Sequence, residues 1–140
     1  MTTTTNPNTL AREFAVQFLY QCEADKLFYF SSEHFDAFTR YFKVEGPQKS
    51  YLESITKGVL ENLNKLDERI TAHSKNWKIS RMPSTDRVVL RMATLEILEK
   101  MAPDKVILNE AIELAKRYGT EHSGSFVNGV LDALLAEART

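Results

Sequence analysis

The chain has 140 residues, 43% of them hydrophobic and 26% charged, a balance typical of a globular domain with an apolar core. Its formal net charge of −1 excludes the clearly basic class of stand-alone nucleic-acid binders, so any such contact must use a local patch or a partner. The single cysteine, Cys22, excludes an internal disulfide and multi-cysteine metal sites, and it fits the reducing cytoplasm.

The N-terminal residues 1–8 are polar and rich in threonine, which predicts a flexible arm ahead of a single helical domain over residues 9–140. The arm has neither the positive nor the apolar stretch of a signal peptide. No apolar run in the chain reaches the roughly 18 residues that a membrane span needs. These features predict a cytoplasmic protein without a membrane segment.

Helical periodicity accounts for the rest of the chain, and no segment shows the alternation of a half-buried strand. The predicted helices lie at residues 10–25, 32–42, 48–76 in two pieces, 85–101, 106–118 and from Ser123 or Ser125 to about 138. Thr9 and either Ser84 or Thr85 are the predicted N-caps, and Gly119 is the predicted left-handed C-cap. The fold class is therefore all-α, with six or seven helices.

The first helix places Arg12, Val16 and Tyr20 along one ridge at positions i, i+4 and i+8, which we expect to be exposed. An exposed tyrosine beside an arginine can stack on a base and hold a phosphate. The alternative is a solvated tyrosine whose ring lies on its neighbours, and spacing alone favours that alternative.

The helix at 85–101 is apolar over most of its circumference, which predicts a central position with neighbours on several sides. Glu96 projects among these apolar residues and needs a partner to be buried. The helix at 106–118 is amphipathic, with Lys116 and Arg117 in its last turn, where cations also favour the helix dipole.

Catalytic constellations are missing from the sequence. The three histidines, His34, His73 and His122, lie far apart and lack metal-ligand spacing. No glycine-rich phosphate loop occurs, and Cys22 falls on the apolar face of the first helix. The sequence therefore predicts no catalytic residue, cofactor or metal, and a protein that is not an enzyme.

The last third of the chain carries a long motif with fixed spacing. It reads PDKVILNEAIELAKRYG over residues 103–119, then Ser123, then FVNGVLD over residues 126–132. Two shorter runs support it, AREFAVQFLY at 11–20 and DRVVLRMATLE at 86–96. Together these runs resemble the NusB transcription antitermination family over about half of the chain.

The resemblance implies two packed helical sub-bundles and a function in transcription antitermination. It implies binding to the boxA RNA of ribosomal RNA operon leaders, together with NusE, a small-subunit ribosomal protein. It also implies contact with the RNA polymerase elongation complex through other Nus factors. Some members of the family self-associate, so homodimer formation stays open.

The resemblance also assigns roles to single positions. It ties Arg12 and Tyr20 to RNA binding, and it places Ser123 and Phe126 at the turn and helix start near the RNA. Lys116 is a further candidate for RNA contact, although its position in the last turn of its helix is a sufficient structural role. Asp86 matches an acidic position that faces the partner protein, and Arg91, which lies on the same helix, is the second candidate for that contact. For Phe126 the alternative is core packing, and Gly129 is expected to allow a close helix approach.

The N-terminal arm departs from the family pattern. Many members carry several arginines just before the Ala-Arg-Glu of the first helix, whereas the corresponding residues 5–10 of this chain include no basic residue. Fewer phosphate contacts predict weak RNA binding by the isolated chain. The open alternatives are a helical protein-interaction adaptor without RNA contact, and the RNA-targeting domain of a ribosomal RNA methyltransferase.

Overall fold

A computed structural model describes residues 7–75 and 77–138. The predicted arm falls mostly outside these residues, since only Pro7 and Asn8 of it are described. All regular secondary structure in the described ranges is helical, which confirms the predicted fold class. None of the described helices is both long and apolar enough to cross a membrane.

The described chain forms seven α-helices and one short 3-10 turn. In order, the helices are α1 (Thr9–Ala24), α2 (Ser32–Phe42), α3 (Gly46–Glu61), α4 (Leu63–His73), α5 (Ser84–Leu98), α6 (Asp104–Tyr118) and α7 (Ser123–Ala138). The 3-10 turn, Ile79–Arg81, lies between α4 and α5. The long region predicted at 48–76 is indeed two helices, which meet at Asn62.

Helix starts differ from the predicted caps in several places. The N-cap of α1 is Asn8 rather than Thr9, and that of α5 is Pro83 rather than Ser84 or Thr85. Proline has a fixed φ and no hydrogen-bonding side chain, and no side-chain cap bond forms at the start of α5. Ser31 does cap α2, since its side chain accepts a hydrogen bond from the backbone N–H of His34.

Four helices are followed by a lysine in the left-handed backbone conformation. Lys26, Lys43, Lys75 and Lys100 all have positive φ, and each lies just beyond a helix. The predicted left-handed C-cap at Gly119 is wrong, because that residue is extended. Glycine at this position allows a close approach instead, as described below.

The helices divide into two compact units, one ending at Glu61 and the other beginning at Asn62. The first unit holds α1–α3, with α1 packed on α3. Its core is rich in aromatic rings: Phe18 lies edge-on against both Phe35 and Phe38 and stacks on His34 at 4.4 Å. Ala11 and Ala15 of α1 are buried, and their small side chains let neighbouring residues pack closely against this helix.

The second unit is built around α5, which packs against α4, α6 and α7. Ten of its residues are buried, from Asp86 to Ile97, so the central position predicted from its apolar circumference is confirmed. Glu96 is among them, as expected for a carboxylate with partners in the interior. Helix α6 is amphipathic, as predicted. It buries Ile107, Ala111, Leu114 and Ala115 and presents polar residues on its solvent-exposed face. The single domain predicted over 9–140 stays a prediction.

Candidate nucleic-acid interface

The predicted ridge on α1 is exposed only at its C-terminal end. Tyr20 is 47% exposed, but Arg12 and Val16 are each 2% exposed, so the prediction was wrong for those two residues. The Arg12 guanidinium donates to the Tyr51 hydroxyl at 3.1 Å and lies over the Tyr51 ring at 5.3 Å from its centroid. Arg12 therefore joins α1 to α3, and Tyr20 is the member of the ridge that a ligand can reach.

Ser123 closes the turn between α6 and α7. It is buried, and its hydroxyl accepts a hydrogen bond from the Thr120 backbone N–H at 2.9 Å. A Cβ atom at Gly119 would lie 2.3 Å from this hydroxyl oxygen, so glycine is required for the hydroxyl to fit there. The role of Ser123 that the structure supports is to shape this turn.

Lys116 and Phe126 lie on either side of the same turn and are accessible. The Lys116 ammonium is mostly exposed and lies 3.6 Å from Glu113 across one helix turn, a pairing that is weak in water. The Phe126 ring is half-buried and meets the ring of Trp77 edge-on, with centroids 6.2 Å apart. Both side chains therefore remain candidates for a ligand contact.

Asp86 and Phe126 line one cavity of about 470 Å³, whose wall also includes Trp77 and His122. Asp86 is 4% exposed, and its Oδ1 has no hydrogen-bond partner among the described residues. The carboxylate lies in the first turn of α5, where the helix dipole favours negative charge. The two residues were predicted for different partners, but the fold brings them to one place.

Arg91 is occupied within its own unit. Its Nε and Nη2 donate to the two carboxylate oxygens of Asp67 at 2.8 and 2.9 Å, so the pair is bidentate and joins α5 to α4. Such a fork fixes both side chains in one geometry. A direct contact of this guanidinium with a partner would have to compete with that bond.

Trp77 is the accessible aromatic residue of this region that the sequence analysis did not single out. It follows α4 outside any amphipathic helix, so helical periodicity gave no signal for it. A tryptophan between two lysines, Lys75 and Lys78, is the pattern that could have drawn attention to it. No group of three or more potential ligand residues within the described ranges could hold a metal ion.

The comparisons with known proteins agree with this fold. The NusB family model matches residues 9–136. A transcription antitermination protein NusB from Anaeromyxobacter dehalogenans (strain 2CP-1) is 44% identical over 133 residues, covering 91% of this chain and 89% of the relative. The chain belongs to the NusB family.

Solved structures of NusB proteins share the architecture. A structure of T. maritima NusB has a TM-score of 0.82 and 34% identity, covering 96% of this chain and 94% of that one. A chain from a complex of the antitermination factors NusB and NusE with double-stranded RNA has a TM-score of 0.80. At 23% identity, covering 92% of this chain and 96% of that one, the second likeness shows the fold alone.

Proposed function

We propose that this NusB-family chain forms a heterodimer with a NusE-type small-subunit ribosomal protein and binds boxA-type RNA of ribosomal RNA operon leaders. In this role it is a non-catalytic adaptor that supports processive transcription by the elongating RNA polymerase, through other Nus factors. The observation that carries the proposal is the family match over residues 9–136 together with the 44% identical relative. The NusB–NusE–RNA complex of a structural neighbour supports the choice of partners.

The geometry divides the predicted RNA residues into two groups. Tyr20, Lys116 and Phe126 present accessible side chains, and we assign them to direct contact with RNA. Arg12 and Ser123 are buried, and we assign them to positioning: Arg12 holds the α1 ridge on α3, and Ser123 holds the turn before Phe126.

The partner-facing residues divide in the same way. Asp86 borders a cavity and has a carboxylate oxygen without a hydrogen bond among the described residues, so it can accept one from a cationic or amide group of the partner. Arg91 is held by Asp67, and we assign it to fixing the surface of α5 against α4.

A matched pair of tyrosines tests the RNA contact. Tyr20 and Tyr41 are both exposed and both lie in the first unit, at 47% and 80%. Loss of one stacking platform costs about 1–3 kcal/mol per base. We expect Tyr20→Ala to weaken binding of the heterodimer to boxA RNA by roughly fivefold to a hundredfold, and Tyr41→Ala to leave it unchanged, as measured by fluorescence anisotropy of a labelled RNA.

The second candidate function is a helical protein adaptor without RNA contact. It is favoured by the lack of any basic residue in residues 1–11, beside the proposed RNA ridge. Equal RNA affinity of the Tyr20→Ala and unmodified heterodimers, with intact partner binding, would support this adaptor and remove the α1 contact from the proposal.

A further inference from the structure

Trp77 is an unusual residue for its type, because it is 51% exposed although tryptophan side chains are mostly buried in folded proteins. It is the only tryptophan in the chain. Trp77, Ser125 and Phe126 line two cavities of about 470 Å³ each. The indole therefore lies at open surface that a flat ligand can reach.

Two hydrogen bonds fix the backbone at Trp77, although the side chain is exposed. Its N–H donates to the Ser74 carbonyl at 3.1 Å, and the Ser74 hydroxyl donates to the Trp77 carbonyl at 2.7 Å. Ser74 is itself buried. The edge-on contact with Phe126 supports the ring from one side. A ring held in this way loses little conformational entropy when a ligand stacks on it.

Cations flank Trp77 in the sequence. Lys75, Lys78 and Arg81 are all exposed, and their side chains form no ion pair with any residue that the structure describes. Residues 74–85 contain no Asp or Glu, so this stretch carries a formal charge of +3 in a chain whose net charge is −1. Exposed aromatic rings among unpaired cations are the pattern by which proteins bind single-stranded nucleic acid.

We propose that Trp77 is a stacking platform for an unpaired RNA base and that Lys75, Lys78 and Arg81 hold the phosphates on either side of that base. This inference rests on the proposed function, and it extends the RNA surface from Phe126 across the segment between α4 and α5. It also offers a local source of positive charge in a chain whose N-terminal arm lacks one. The Asp86 carboxylate in the cavity wall disfavours a phosphate there, so the base and not the backbone faces the cavity.

The test uses the single tryptophan as a probe. The full chain, labelled with 5-fluorotryptophan, is studied by ¹⁹F NMR with the unlabelled NusE-type partner, before and after addition of single-stranded boxA-type RNA. We expect the one protein resonance to shift on addition of RNA, beyond any shift caused by the partner. RNA binding is measured separately by anisotropy.

Variants give the second arm of the test. We expect Trp77→Ala to weaken RNA binding roughly fivefold to a hundredfold, the effect of losing one stacked base. Trp77→Phe, which keeps a ring against Phe126, should lose less. Lys78→Ala with Arg81→Ala should reduce the steepness of log affinity against log salt by about 1.4, the loss of two phosphate contacts on a single strand. Lys105→Ala removes an exposed lysine in the first turn of α6 and should leave that steepness unchanged.

The outcomes separate this inference from the proposed function. One outcome is that RNA binds the unmodified, Trp77→Phe and Trp77→Ala complexes with equal affinity and that the tryptophan resonance does not shift. In that case Trp77 does not contact RNA, although the proposed function stands. If the resonance moves only with the partner and Trp77→Ala weakens that association, the surface docks protein and the inference is wrong. If no RNA binds at all, both proposals fail.

Discussion

The thiol of Cys22 lies on the inner face of α1, 1% exposed and 3.9 Å from Nδ1 of His34. Burial raises the pKa of this thiol to about 11, and the nearby Asp25 carboxylate adds to the effect. Its proton is therefore retained at pH values where an exposed thiol would ionise. This matches a core residue and not a nucleophile.

The raised pKa predicts a loss of stability at alkaline pH. The folded chain keeps the thiol proton up to about pH 11, whereas the unfolded chain releases it from about pH 9, so the stabilisation is complete below pH 9 and is lost on going to pH 11. Two pKa units correspond to at most about 3 kcal/mol. Urea unfolding of the unmodified and Cys22→Ala proteins at pH 8, 9.5 and 11 measures how far their free energies of unfolding differ.

The Cys22→Ala protein lacks the thiol, so it serves as the baseline for every other effect of pH on stability. The difference in free energy of unfolding between the two proteins should decrease as the pH rises. Parallel curves for the two proteins would show that the Cys22 thiol does not ionise differently on unfolding.

Helix junctions show why single positions matter at the scale of the element. The α6–α7 turn brings Gly119 so close to Ser123 that a Cβ there would be 2.7 Å from the Ala115 carbonyl oxygen as well. Gly129, within α7, has open space where a Cβ would lie, since no heavy atom other than its chain neighbours and the adjacent helix backbone comes within 4 Å of that position. The close helix approach expected at Gly129 is therefore wrong, and the close approach occurs at Gly119.

These two glycines form a matched pair for substitution. We expect Gly119→Ala to lower the free energy of unfolding by about 1–3 kcal/mol, because backbone and the Ser123 side chain must both move. Gly129→Ala should be neutral or stabilise by up to about 1 kcal/mol, since alanine is the better helix former. Thermal and urea unfolding measure both changes. A Gly119→Ala protein as stable as the unmodified one would contradict the role assigned to this turn.

Periodicity predicted which helices form, but it did not predict the residues at which they begin. The range of α2 and the division of the 48–76 region into two helices were predicted correctly, because apolar spacing is a local signal. The starts of α5 and α6 were placed one and two residues late. Their N-caps are Pro83 and Pro103, which fix the helix entrance through φ and leave no hydrogen-bonding side chain in the sequence to identify.

At the scale of the whole molecule, the distribution of charge decides how RNA can be bound. The arm before α1 has no cation, and the Arg12 guanidinium is bonded to Tyr51. The exposed cations that remain near proposed RNA residues include Lys116 and those around Trp77. An isolated chain of this kind should bind RNA weakly, with the partner supplying further phosphate contacts.

Adding charge to the arm tests this view. We expect Thr5→Arg with Asn6→Arg to strengthen RNA binding by the isolated chain and to steepen its salt dependence by about 0.7 per added phosphate contact. Thr5→Gln with Asn6→Gln is the uncharged control and should leave both unchanged. Anisotropy titrations between low and physiological salt provide the measurement. Tight, steeply salt-dependent binding by the unmodified chain would contradict the premise.

The sequence by itself determined the fold class, the approximate positions of the helices, the central position of α5 and the family. These properties depend on periodicity and on a motif with fixed spacing, and both are local in the chain. The tertiary structure alone decided which polar residues a ligand can reach. Arg12 is buried by Tyr51, 39 residues away, Arg91 is bound by Asp67, and Trp77 stands exposed against Phe126. Exposure depends on partners that are distant in sequence, and no helical pattern within one segment can specify them.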